Sequence, residues 1–281
     1  MSDIKTLEQT TIQVRRDILR MVNKVNSGHP GGSLGCAEFF VALYFAQMEV
    51  ALPFSMDGKN EDLFFLSNGH ISPVFYSVLS RRGFFPINEL NSFRLINSRL
   101  QGHPTTHEGL PGIRIASGSL GQGLSVSIGA ALAKKINNDQ KIIYTLIGDG
   151  ELQEGQNWEA LMFAAGKKVD NIIATIDLNG KQIDGSTNDV LPMGSLKDKF
   201  LAFGWEVIEL REGNSIPHIL KALGLAKSKL GNDKPVVILM ETEMGNGVDF
   251  MMNTHAWHGK APNDEQLKNA LSQNEETLGD Y

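Results

Sequence analysis

One segment constrains the fold of this chain most: IIYTLIGDGELQEGQNWEALMFAAGKKVDNIIATIDLNG. An apolar run leads straight into Gly148-Asp149-Gly150. An amphipathic stretch follows, and a second apolar run ends in Asp177-Leu178-Asn179-Gly180. This pattern predicts a strand, a loop, a helix, a second strand and another loop. In a parallel βαβ unit both strands end at the same edge of the sheet. Asp149 and Asn179 therefore meet there, although thirty positions separate them.

Such a pair suits a magnesium ion carrying a diphosphate. Mg²⁺ takes hard oxygen ligands, usually one or two carboxylates together with phosphate oxygens and water; Ca²⁺ or Mn²⁺ would accept the same donors. Asp149 supplies the charge and Asn179 a side-chain carbonyl. The bend after Asn179 supplies a backbone carbonyl, assigned to Lys181. Gly148 and Gly150 allow close approach of the backbone to phosphate. The helix expected after Gly150 would turn its N-terminus toward the same anion. Gly-Asp-Gly alone is an ordinary strand-end turn; the asparagine at the end of the next strand gives it weight.

With both ends of that motif in place, the chain resembles the thiamine diphosphate enzymes. Further blocks narrow the resemblance to transketolases: NSGHPGGSLG (Asn26–Gly35), LSNGH (Leu66–His70), GHP (Gly102–Pro104), SGSLGQGLSVSIGAA (Ser117–Ala131), GDGELQEGQNWEA (Gly148–Ala160) and WHGKAP (Trp257–Pro262). They stand in transketolase order and cover nearly the whole chain. The resemblance implies thiamine diphosphate and a divalent metal as cofactors.

It also implies roles for individual residues. His70 and His258 would reach the diphosphate end and the reaction centre. His29 and His103 would line the substrate channel, binding hydroxyls and moving protons, as imidazoles titrating near neutrality can. A lone loop histidine is more often merely solvated or hydrogen-bonded; four in matching blocks shift that balance. Gly118, Ser119 and Leu120 would present backbone groups to the aminopyrimidine ring. Ile183 would pack under the thiazolium, and Glu154 would face a partner subunit. Lys260 would add a cation near the phosphates. His107, His218 and His255 match no block and are read as structural. Ser119 stands where many relatives carry proline, and Leu178 stands where they carry Asp or Asn. Neither change removes a ligand.

Other chemistries find no support. The sequence has no CxxC or HExxH metal pattern, no G-x-S-x-G elbow, and no Walker lysine in GSLGQG. A net charge of −6 without a basic run argues against nucleic acid as a partner. The polar start MSDIKTLEQT lacks a signal-peptide core, and no apolar stretch is long enough to span a bilayer. The single cysteine, Cys36, lies among apolar neighbours and reads as a small core residue. These features suggest the cytoplasm.

The expected architecture is three-layer α/β/α with a mainly parallel sheet, the diphosphate-binding half of the thiamine diphosphate-binding fold, as one domain over residues 1–281. Helices are expected over 6–25, 37–48, 72–79, 121–136, near 196–203 and over 215–230. Strands are expected at 62–66, 205–210 and 235–241, besides the two flanking the central helix. GHPGG should open an irregular loop. The Gly- and Pro-rich stretch 101–119 should be a long functional loop. Residues from about 269 to 281 read as a polar tail.

Length sets the functional reading. Transketolases usually carry three domains on one chain, and these 281 residues reach roughly the close of the first. The activating glutamate for the aminopyrimidine and the basic residues for a sugar phosphate belong to the part that would follow. The expectation is therefore an N-terminal subunit of a split transketolase, transferring a two-carbon ketol unit from a ketose to an aldose. A C-terminal subunit with a pyrimidine-binding domain would complete it, in a heterotetramer of two copies of each. The alternatives are a subunit of a 2-oxo acid dehydrogenase or deoxyxylulose-phosphate synthase relative, or a non-catalytic regulatory subunit that kept the fold.

Overall fold

The computed structural model describes residues 3–281. Five strands form one sheet: β1 (Leu63–Leu66), β2 (Ile143–Gly148), β3 (Ile172–Leu178), β6 (Glu206–Leu210) and β7 (Val236–Glu241). Their order is β1-β2-β3-β7-β6, and every neighbouring pair is parallel. A short antiparallel hairpin, β4 (Lys181–Gln182) with β5 (Gly185–Ser186), follows β3 at the sheet's edge. It leads into a single helical turn, α7 (Thr187–Val190).

Period-two alternation sends the strand side chains to two cores, as a sheet covered on both faces requires. On one face Phe64, Leu66, Tyr144, Leu146, Ile173 and Ile238 are buried with α1 (Ile4–Lys24), α3 (Ala37–Ala42), α4 (Ser72–Arg82) and α9 (Ile216–Lys229). On the other, Phe65, Ile143, Ile147, Ala174, Ile176 and Val237 meet α5 (Gln122–Ile136), α6 (Gly155–Gly166) and Phe200 of α8 (Leu196–Ala202). No helix among the described residues is long and apolar enough to cross a membrane. Cys36 is fully buried, as its neighbours suggest.

Two local expectations fail for packing reasons. The GHPGG stretch does not stay irregular: Pro30–Gly35 is a helix, α2, with the proline in its first turn. Its glycines are buried under other backbone, and a Cβ on Gly31 would lie 2.8 Å from Met244 Cγ and 2.9 Å from the Trp257 carbonyl. Tertiary contact here overrides the low helix propensity of glycine. The helix after Gly150 also starts late. Gly150–Gln153 is a 3₁₀ turn, and α6 begins only at Gly155. The group facing the strand end is thus a tight turn rather than a helix N-terminus.

The segment read as a polar tail from about 269 takes in the end of helix α10 (Asp264–Ser272) and then lies on α1. Asp280 accepts from Arg16 at 2.6 and 2.8 Å and from Gln13 at 2.9 Å.

Candidate active site

The site begins at the carboxyl ends of β2 and β3. Their register pairs Gly148 with Asp177, so the residues beyond them sit side by side. The Asp149 carboxylate accepts from the Gly150 N–H and, across the strand gap, from the Gly180 N–H, each at 2.7 Å. Asp149 and Asn179 thus meet as the βαβ pattern requires. Asp149 is 4% exposed and forms no ion pair among the described residues. Burial first, and the neighbouring Asp177 second, push its pKa up to about 7.

Asn179 is held from both ends. Its amide nitrogen donates to Asp177 at 2.8 Å, and its amide oxygen accepts from the Lys181 N–H at 2.9 Å. Asp177 also accepts from the Thr242 hydroxyl. The Lys181 ammonium lies 3.3 Å from Glu243, so its charge is paired there and does not neutralise Asp149.

Nothing in the sequence pattern singles out Glu151. Its carboxylate is 3% exposed and accepts from the Ser67 hydroxyl, from Gly121 N–H at 2.7 Å and from Gly148 N–H at 3.1 Å. It therefore ties the end of β1, the 117–121 loop and the Gly-Asp-Gly turn together. Its only signal in the sequence is its place directly after Gly150.

Four histidines close the other wall. His29 precedes α2, His70 sits in a 3₁₀ turn after β1, and His103 and His258 come from separate loops. The His29 ring centroid lies 5.1 Å from that of His70, 5.6 Å from His258 and 6.2 Å from His103. His70 and His258 are 5.1 Å apart. His103 rests on Gly118, whose φ of +116° and 2.7 Å distance from a built Cβ to His103 Cδ2 leave room only for glycine. Burial lowers the pKa of all four rings. For His29 burial, then His258, Arg94 and His103, bring it down to about 4. These imidazoles are neutral at pH 7, so each offers a ring nitrogen that can accept a hydrogen bond from a hydroxyl, and they titrate below the near-neutral range expected from the sequence.

Both walls line one cleft of about 360 Å³. It also receives Gly118, Leu120, Gly148, Gly150, Glu154, Asn179, Lys181 and Ile183, the last 61% exposed. Two expected residues do not line it. Ser119 is exposed outside it, and the exposed Lys260 has its ammonium 5.2 Å over the Trp257 ring. A second hollow, of about 500 Å³ beside the start of β1, contains Arg114 and Lys134, both already paired with Glu61 and Asp139.

Residues 7–276 match the family described as the thiamine diphosphate binding domain of transketolase. The chain belongs to the transketolase family. It is 38% identical over 260 residues to the 6-deoxy-6-sulfo-D-fructose transketolase subunit SqwG of Clostridium sp. (strain MSTE9), covering 92% of this chain and 93% of that one. It is 35% identical over 275 residues to an apulose-4-phosphate transketolase subunit of Phocaeicola vulgatus, covering 98% and 96%. Transketolase of Campylobacter jejuni superposes with a TM-score of 0.88 at 33% identity, over 97% of this chain but 43% of that one. The transketolase-type transferase reading thus stands, and the oxo-acid dehydrogenase, synthase and regulatory alternatives gain nothing. The chain matches separate subunits end to end and spans about two fifths of a single-chain transketolase.

The residues present fit thiamine diphosphate and a divalent cation. Asp149 is a buried carboxylate lacking a counter-charge, and a Cβ built on Gly148 would meet nothing nearer than 3.9 Å. Among the described residues no three His, Cys, Asp or Glu side chains are grouped to hold a metal by themselves. One carboxylate with neutral oxygens needs phosphate oxygens to complete a shell, as magnesium sites commonly do.

Proposed function

We propose that this chain is the cofactor-binding half of a two-subunit transketolase acting on sugars with an anionic end, a phosphate or a sulfonate. Asp149, Asn179 and the Lys181 carbonyl hold a divalent cation, with magnesium the expected ion. Gly148, Gly150, His70 and His258 receive the diphosphate end. Gly118 and Leu120 meet the aminopyrimidine, and Ile183 supports the thiazolium. Thiamine diphosphate, when bound, supplies the carbanion chemistry of ketol transfer. His29 and His103 bind sugar hydroxyls and exchange protons with them.

The observation that carries this reading is that one cleft is lined both by four histidines clustered on one another and by the buried Asp149 carboxylate. The anionic end of the sugar is proposed from the sulfofructose and apulose-4-phosphate activities for which the two subunit relatives are named.

A partner is required to complete the site. Val126 and Ile136 of α5 and Met162 and Phe163 of α6 stand exposed, between 42% and 80%. These helices pack on each other, and apolar side chains gathered on a surface favour association. A C-terminal subunit carrying the pyrimidine-binding domain fits that face, in a heterotetramer of two copies each, located in the cytoplasm. The test is a coupled assay with thiamine diphosphate, Mg²⁺, xylulose 5-phosphate and ribose 5-phosphate, with a sulfonated ketose in parallel. It compares this chain, a candidate C-terminal subunit carrying the pyrimidine-binding domain, and the mixture. Turnover is expected only in the mixture. Full turnover by this chain alone refutes the two-subunit reading.

A further inference from the structure

Arg94 belongs to none of the cofactor contacts, yet its placement is unusual. It sits in a left-handed backbone conformation, φ 56°, at a tight loop closed by its own N–H donating to the Leu100 carbonyl at 2.9 Å. Its guanidinium lies on Gly102: a Cβ there would come within 2.6 Å of Arg94 Cζ and 2.7 Å of Nε. One terminal nitrogen donates to the Ser27 hydroxyl at 3.0 Å, and the Phe93 ring lies 5.6 Å from Cζ. Gly102 immediately precedes His103, and Ser27 is two residues before His29. Arg94 forms no ion pair among the described residues, and its buried Nε has no hydrogen-bond partner.

An arginine left without a carboxylate loses part of its solvation and gains no Coulomb energy in return. Burial does lower its pKa, though an arginine stays charged. The position makes sense if the charge has a use there. We propose that Arg94 is a positioning residue that clamps the His29 loop to the His103 loop and sets a standing positive charge behind both rings.

The surroundings make the effect selective. His103 is faced by Arg94 and by the ring of His29; His29 is faced by His70, His258, His103 and Arg94. Arg94 contributes to lowering the pKa of both, behind burial for His103 and behind burial and His258 for His29. It also faces the Tyr76 phenol, which donates to the Gln101 carbonyl at 2.8 Å. His70 is lowered by burial and by the other three histidines, and His258 by burial and His255; Arg94 acts on neither. The guanidinium thus helps hold the two rings proposed to meet sugar in their neutral form, with a free ring nitrogen to accept a hydrogen bond from a hydroxyl, while the two rings beside the cofactor are held neutral without it. Only this catalytic consequence rests on the ketol-transfer reading; the placement of charge does not.

The test reads proton state directly, so it does not depend on turnover. The full chain is labelled with ¹⁵N-histidine and its ring nitrogens are titrated by NMR, with H29Q and H103Q used for assignment. R94M is expected to move the pKa of His29 and His103 upward and to leave His70 and His258 in place. R94K, which keeps the charge but not the fork, is expected to restore most of the shift for His103. Should R94M fail to fold, R94Q retains a hydrogen-bond donor for Ser27 without the charge and is read the same way. Unmoved pKa values for His29 and His103 overturn the proposal. An equal shift of all four rings also overturns it, because that is the mark of a loosened cleft. A failed ketol-transfer assay with the expected NMR pattern would instead overturn the proposed reaction and leave the role of Arg94 intact.

Discussion

The strand-end wall and the histidine wall of the cleft neutralise charge in opposite directions. At the strand ends burial pushes the Asp149 pKa up to about 7, and across the cleft burial brings the His29 pKa down to about 4. The strand-end wall is held by hydrogen bonds: Asp149, Asp177, Asn179 and Glu151 all accept or donate within 3.1 Å. The histidine wall leaves capacity unspent, since the Nδ1 atoms of His29 and His258 are buried without partners. A wall with its geometry fixed and one negative charge to offer suits a cation of fixed geometry. A wall of neutral, unpartnered acceptors and donors suits hydroxyls that arrive and leave. Buried polar atoms without partners are costly, so their presence is best explained by a ligand that completes them.

Breaking the strand-end wall should have the largest effect. Asp149→Ala removes the one carboxylate of the metal set, and metal-dependent thiamine diphosphate binding should disappear while the chain stays folded. Calorimetric titration with Mg²⁺ in the presence of the C-terminal subunit measures it, and circular dichroism checks the fold; wild-type affinity would reject the assignment. The wild-type pH dependence sharpens the point. The folded pKa of Asp149 is above its ordinary value of 3.8, so this carboxyl keeps its proton in the metal-free folded chain between pH about 4 and about 7, while His29, held down to about 4, gives one up over part of the same range with the opposite sign. The Asp149 contribution to stability is complete below the unfolded pKa and is lost as pH rises to about 7. Cation binding needs that proton gone, so affinity should weaken as pH falls through about 7. Asp149→Ala should remove only this residue's share of the slope, because Asp177 and Glu151 are also raised by burial and keep theirs.

The two walls are not equally legible in the sequence. Asp149 and Asn179 can be placed together from two apolar runs and the helix between them, because adjacent parallel strands end at one edge. The sheet and most helices follow from the same alternation. The four histidines come from four loops between residues 29 and 258, and no local period links them; only the order of the family's blocks places them together. Glu151 escapes notice because its burial depends on Ser67 and Gly121 arriving from elsewhere. The α2 helix is hidden because propensity disfavours glycine, while the buried contact with Met244 and Trp257 decides it.

Breaking the histidine wall should cost less and in a different quantity. His29→Ala and His103→Ala should each lower kcat/KM for ketol transfer by roughly 10²–10⁴ in the assembled enzyme. Cofactor affinity should stay near the wild-type value, because neither residue touches Asp149 or Asn179 by any hydrogen bond. Steady-state kinetics at saturating cofactor, beside a binding isotherm, separates the two. A loss of cofactor binding equal to the loss of turnover would erase the distinction between the walls.

Ile183 gives the smallest and most specific effect, because it stands between them. A Cβ on Gly259 would lie 3.7 Å from Ile183 Cδ1 and 3.4 Å from His29 Nε2, while the Ile183 backbone continues from the Asn179 bend through β4. At 61% exposure the side chain is buried by no core, so Ile183→Ala should change folding stability by no more than about 0.5 kcal/mol. If the side chain supports the cofactor's ring, truncation removes apolar contact at about 0.8 kcal/mol for each CH₂ buried on binding. With only part of the side chain covered, the loss is about 1 kcal/mol, or roughly five- to tenfold in the dissociation constant. The melting temperature of the free chain and a thiamine diphosphate titration of the assembled enzyme read the two quantities separately. A weaker cofactor with an unchanged melting temperature places Ile183 in the cofactor wall. A higher KM for sugar with unchanged cofactor affinity places it in the substrate wall, and the boundary between the two walls then moves to the Asn179 side of residue 183.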